Sequence, residues 1–113
     1  MNAITTHVLD ISIGKPAAGV PVTLEAHGSG GWKSLASAVT NADGRVRDLL
    51  PEGRALAPGT YRLRFETAAY FRARGVESFY PHVEIAFIVQ DAAQHHHVPL
   101  LLSPFGYSTY RGS

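Results

Sequence analysis

Tyr61-Arg62-Leu63-Arg64-Phe65-Glu66 alternates apolar and charged side chains without a fault. A period of two belongs to a strand with one buried face, because successive strand side chains point to opposite sides and a helix would scatter the same residues around its circumference. Tyr61, Leu63 and Phe65 therefore pack inward. The pattern recurs along the chain. Val20, Val22 and Leu24 make the apolar side of a strand over residues 20–26, where Pro21 marks a sheet edge or the first residues of the strand. Val83, Ile85, Phe87 and Val89 share one face of residues 82–89. Residues 5–11 alternate more weakly, with His7 and Leu9 on one side and Thr6 and Val8 on the other. Residues 32–40 and, as a short piece, 45–50 supply two more strands.

Glycine, proline, Asn and Asp punctuate these runs at Gly14-Lys15-Pro16, Asn41-Ala42-Asp43-Gly44, an irregular stretch through Gly59 and Gln90-Asp91-Ala92-Ala93-Gln94. Asn and Asp bond back to their own backbone and Gly accepts positive φ, so the Asn41–Gly44 turn holds Arg45 beside it. One helix is expected, over residues 68–74, with Thr67 as N-cap and Gly75 as its stop. About eight short strands with frequent turns and one helical excursion argue for a two-sheet antiparallel β-sandwich.

At 113 residues and 45% hydrophobic content there is room for one domain, residues 1–113. Lys and Arg number 10 against 9 Asp and Glu, which gives no electrostatic case for nucleic acid or an anionic membrane and favours a small-molecule partner. The absence of cysteine removes disulfides, thiolate nucleophiles and Cys-based zinc sites. No run approaches the roughly 20 apolar residues that cross a bilayer. Met1-Asn2-Ala3-Ile4 leads into a strand without the basic start and apolar core of a secretory signal, so a cytoplasmic protein is expected.

The last stretch carries the most chemistry. His95, His97, Pro99 and Leu101 point one way and His96, Val98, Leu100 and Leu102 the other. The second set is core; the first puts imidazole next to proline and leucine, as in the wall of a cleft. Ser103-Pro104-Phe105-Gly106 has turn chemistry and Tyr107–Ser113 resumes a β-prone alternation, closing a hairpin. On that hairpin Tyr110 falls on the side of His97, where it can stack on a flat heterocycle or pack at a subunit interface.

Several features invite sharper readings. Gly28-Ser29-Gly30-Gly31-Trp32-Lys33-Ser34 lacks the Gly-Lys-Ser spacing of a phosphate loop and reads as a connection between strands. His95 and His97 share a face and could chelate, but no Asp, Glu or Cys stands at ligand spacing, so no metal is expected. A lone strand histidine is ordinarily a partly buried one bonded to backbone. His7 and His97 would both line one surface.

His97-Val98-Pro99-Leu100-Leu101, then Ser103-Pro104, then Tyr107-Ser108-Thr109-Tyr110-Arg111-Gly112-Ser113 resemble the 5-hydroxyisourate hydrolases, the transthyretin-related enzymes of urate breakdown. The likeness also takes in Thr6-His7-Val8-Leu9-Asp10 and Thr40-Asn41-Ala42-Asp43-Gly44-Arg45, so it covers essentially the whole chain. It implies a sandwich of two four-stranded sheets, the helix after the fifth strand, and a homotetramer built as a dimer of dimers. It implies hydrolysis of 5-hydroxyisourate without cofactor or metal, with His7 and His97 as candidates for the base, Arg45 stabilising the oxyanion and Ser113 at the site with its terminal carboxylate. His7, Arg45, Tyr110 and Gly112 are the implied substrate contacts, and Arg111 is expected to anchor the tail by an ion pair. His96 departs from the tyrosine that the family usually carries and reads as a core-side variation. Transthyretin itself uses the same architecture as a hormone carrier, but His7, Arg45, His97 and the Tyr-Arg-Gly-Ser ending are those of the enzyme branch. A plain β-sandwich adhesion module would leave these polar residues unexplained.

Overall fold

In the computed structural model, residues 3–51, 54 and 56–113 are described. Met1 and Asn2 of the expected lead-in, and Glu52, Gly53 and Ala55 of the expected irregular stretch, lie outside the described residues. The elements run β1 (Ile4–Asp10), β2 (Lys15–Pro16), β3 (Pro21–Gly28), β4 (Gly31–Val39), β5 (Arg45–Val46), β6 (Gly59–Phe65), α1 (Thr67–Ala73), β7 (Val83–Val89), β8 (His96–Ser103) and β9 (Gly106–Thr109).

The expected two-sheet sandwich is what forms, with one sheet ordered β4-β3-β6-β7 and the other β2-β1-β8-β9. The second sheet holds five strands, because β5 also pairs with β1. β2 meets β1 at Leu9 and Asp10 and β5 meets it at Thr6 and His7, so the two short strands follow one another along the same edge. The sandwich is also not wholly antiparallel: β1 and β8 run parallel over seven residue pairs, from Ile4 opposite His96 to Asp10 opposite Leu102. Parallel neighbours need a long crossover, and the entire β3–β7 sheet with its helix provides it.

Alternation decides which faces meet. Tyr61, Leu63 and Phe65 of β6 are buried, as are Val22 and Leu24 of β3, Val83, Ile85 and Val89 of β7, and Val98, Leu100 and Leu102 of β8. Each large side chain of this set contributes about 1.5–3 kcal/mol by leaving water. Pro21 is the first residue of β3, where its missing N–H breaks no ladder inside the strand. The helix begins one residue earlier than the sequence suggests: Glu66 occupies the N-cap without a side-chain bond and Thr67 is the buried first helical residue. It ends as expected, with Gly75 at φ 71°, Gly75 N–H donating to Arg72 O and Val76 N–H to Phe71 O. Asp10 is buried at the end of β1, where its carboxylate accepts from Ser12 and from the Tyr70 hydroxyl of α1 at 2.9 Å. Burial and that bond push the Tyr70 pKa up to about 12.

Candidate active site

β1 is the spine of the site. Ile4, Thr6, Val8 and Asp10 are buried and Thr5, His7 and Leu9 lie half-buried on the outer face of the sheet. Thr5 stands opposite His97 and His7 opposite Pro99 across the β1–β8 pair, while His7 stands opposite Arg45 across β1–β5. Paired residues share a face. Thr5, His7, Arg45 and His97 therefore come together from segments some 90 residues apart in the chain.

Arg45 is held there by the Asn41–Gly44 turn. Asn41 Oδ1 accepts the N–H of Asp43 at 2.9 Å and of Arg45 at 3.0 Å, and Gly44 N–H donates to Asn41 O at 2.9 Å. Gly44 has φ 74°, and its carbonyl accepts Val8 N–H at 2.7 Å. A Cβ at that position would collide with the Val8 carbonyl oxygen, so only glycine lets the turn lie against β1.

Arg45, His97 and Ser113 line one cavity of about 680 Å³, together with Thr5, His95, Arg47 and Asp48. Gly112 is beside it: its N–H donates to His97 O at 2.9 Å in an isolated bridge. That bridge continues the register set by Leu100 opposite Thr109, past Pro99, which has no N–H to leave unpaired. His7 does not line the cavity but is close enough to act on it electrostatically. More than half exposed, Tyr110 borders a second cavity of about 330 Å³ that His97 also lines, beside Ile85, Phe87 and Ile88 of β7. Arg111 reaches a neutral partner in place of the expected carboxylate, donating to Gln94 Oε1 at 3.1 Å.

His97 and His7 are tuned toward the neutral form. Burial lowers the His97 pKa most, and the positive charges of His95, Arg45 and His7 lower it further, against a backbone hydrogen bond at Thr5 that raises it. Burial and then Arg45 lower His7, with Asp43 opposing. An imidazole kept neutral near neutral pH can accept a proton, while the guanidinium beside it stays charged.

Two contributors are not assigned to the site from the sequence: Thr5, and His95, which the sequence places on the cleft face only as a possible chelator. Thr5 Oγ1 lies 2.8 Å from both His95 Nε2 and His97 Nδ1, and His95 itself lines the cavity. Their signal was parity: Thr5 alternates with His7, and His95 with His97. Among the described residues no group of three or more His, Cys, Asp or Glu gathers closely enough to hold a metal ion.

With this geometry in place, comparison with known proteins gives a consistent answer. The sequence model of the HIUase/Transthyretin family matches residues 4–112. The chain belongs to the HIUase/transthyretin family. Among its relatives in that family is a probable 5-hydroxyisourate hydrolase of Caenorhabditis elegans, 51% identical over 98% of this chain and 82% of the relative. The solved structure of Klebsiella pneumoniae 5-hydroxyisourate hydrolase superposes with a TM-score of 0.86 at 42% identity, covering 99% of this chain and all of that one. Sea bream transthyretin in complex with thyroxine superposes at 0.91 with 31% identity, over 98% and 95% of the two chains. Fold alone does not separate the hydrolase branch of the family from the carrier. The side chains in the Arg45–His97 cavity must do so.

Proposed function

We propose that this protein hydrolyses 5-hydroxyisourate to 2-oxo-4-hydroxy-4-carboxy-5-ureidoimidazoline, a step of urate degradation. The observation that carries the reading is the convergence of Arg45 and His97 on one cavity, in a chain 51% identical to a relative named as a probable hydrolase of this substrate. A carrier needs neither a base nor a fixed guanidinium there.

The reaction is acyl transfer to water. A water in the cavity gives a proton to His97 as its oxygen adds to the ring carbonyl, and base assistance of this kind contributes about 10² to 10⁴ in rate. Arg45 offers two parallel N–H donors to the oxygen on which charge develops. The C–N bond of the ring then breaks, and the leaving nitrogen takes the proton back from His97. His7, itself held toward the neutral form, is the second candidate base. Gly112 and Ser113 close the cavity against His97, and Tyr110, which shares the second cavity with His97, meets substrate where a neighbouring subunit closes the two cavities together.

That last condition fits the homotetramer, a dimer of dimers, expected from the sequence. Ile11, Ile13, Phe105 and Tyr107 are exposed at 41–64% and give this protomer apolar surface to cover. A cytoplasmic setting belongs to the same proposal. The test is to add purified protein to freshly made 5-hydroxyisourate and follow its ultraviolet absorbance. Faster decay than the spontaneous rate, unchanged after prolonged chelation, is the expected result; decay at the spontaneous rate refutes the function, and loss on chelation restored by zinc refutes the metal-free mechanism.

A further inference from the structure

The contact that the proposed mechanism leaves unused is the hydroxyl between two imidazoles. Thr5 Oγ1 is 2.8 Å from His97 Nδ1 and 2.8 Å from His95 Nε2, while the two rings stand 6.2 Å apart between centroids with their planes 26° from parallel. A hydroxyl carries one hydrogen and two acceptor lone pairs. The arrangement that uses all of it has one ring N–H donating to Oγ1 and Oγ1–H donating to the other ring nitrogen, so the tautomers of the two histidines are tied together. Of its two senses, the one that leaves His97 Nε2 bare to take a proton from water has His97 Nδ1–H donating to Oγ1 and Oγ1–H donating to His95 Nε2.

We propose that Thr5 is a positioning residue for His97 and a proton relay from it to His95: its hydroxyl holds His97 as the Nδ1–H tautomer with Nε2 bare, and links Nδ1 to His95 Nε2. The inference rests on the hydrolytic reading given above. When a water O–H bond breaks and the hydrogen joins His97 Nε2, the Nδ1 proton passes to Thr5 Oγ1 and the hydroxyl hydrogen passes to His95 Nε2. His97 ends neutral and His95 carries the charge; hydroxide has added to the carbonyl, and no proton is gained or lost. The reverse shift returns the proton to Nδ1 as Nε2–H is given to the leaving nitrogen. His95, like His97, is half-buried and borders the same cavity, so the displaced charge stays at the cavity but one ring away from the nitrogen that took the proton. Without the hydroxyl, nothing holds the proton on the Thr5 side of the ring, and the positive charge stays beside Arg45.

Thr5→Val keeps the branched shape on β1 and deletes the hydroxyl, and Thr5→Ser keeps the hydroxyl and deletes a methyl. Steady-state kinetics on 5-hydroxyisourate should show kcat about tenfold or more lower in Thr5→Val with KM within about twofold, and most of the loss recovered in Thr5→Ser. His95→Gln should lower kcat in the wild-type background and add little in the Thr5→Val background, since both remove the same link. Nitrogen-15 NMR of the ring nitrogens should show His97 protonated at Nδ1 in the wild type and shifted toward Nε2 in Thr5→Val. A Thr5→Val kcat within about twofold of wild type, a loss that Thr5→Ser does not recover, or an unchanged His97 tautomer would each overturn the proposal. If the wild type does not hydrolyse the substrate, the functional reading fails while the tautomer comparison still decides what Thr5 does.

Discussion

Gly112 lies against the imidazole of His97: a Cβ built on it would come within 2.5 Å of His97 Cδ2 and 3.2 Å of Pro99 Cγ. The close approach explains why a glycine is needed so near the end of the chain, since any side chain would displace the ring.

Gly112→Ala should therefore move His97 without unfolding the sandwich. Misplacing a reacting group by about 1 Å costs on the order of 10² in rate, so kcat/KM should fall by about that factor. Circular dichroism should remain that of the wild type, because Gly112 is outside the core.

The pH profile follows from the histidines. His97 and His7 are both held below the ordinary value of 6.5, so the acid limb of kcat/KM should have its midpoint below 6.5, with a plateau above it. Stability has the same sign. With folded pKa values below the unfolded one, the unfolded chain binds more protons, so the contribution of His7, His96 and His97 is full above about 6.5 and is lost as pH falls through their lowered values. Thermal melts between neutral pH and pH about 5 check this; melting temperature rising on acidification would contradict it.

His96 is buried, and its Nδ1 finds no partner among the described residues. An unsatisfied buried polar atom costs about 1–3 kcal/mol. His96→Phe should raise stability by about 1 kcal/mol and flatten the pH dependence of melting, with the hydrolytic rate little changed because the ring points away from the Arg45 cavity. A lower melting temperature would show that the larger ring is not accommodated.

Strict alternation made β6 and the two faces of β8 readable, and turn chemistry placed Arg45 through Asn41 and Gly44. What stayed hidden lacks a local signal. β2 is two residues long and has no period to detect, and the parallel partnership of β1 with β8 is set by the intervening sheet. Thr5 is invisible as a site residue because its bonds reach 90 and 92 residues along the chain. Thr67 has the composition of a cap, but burial takes its side chain into the core and Glu66 inherits the cap position.

Deleting residues 110–113 tests the tail. The core around Leu63, Phe65, Leu100 and Leu102 is untouched, so the truncated chain should keep its sandwich. It loses Gly112 and Ser113 from beside His97 and the Arg111–Gln94 bond, and most of the hydrolytic rate should go with them. Near-normal turnover of a folded truncation would remove the tail from the site.

The account stands most directly on Arg45 and His97 acting together on 5-hydroxyisourate. The deciding measurement is the initial rate of its decay with wild type and with Arg45→Lys, each checked by circular dichroism. The wild type should accelerate decay well beyond the spontaneous rate, and Arg45→Lys, folded but with a point charge in place of the planar fork, should lose about 10² or more of that acceleration. No acceleration by the wild type, or an Arg45→Lys rate equal to it, would contradict the account.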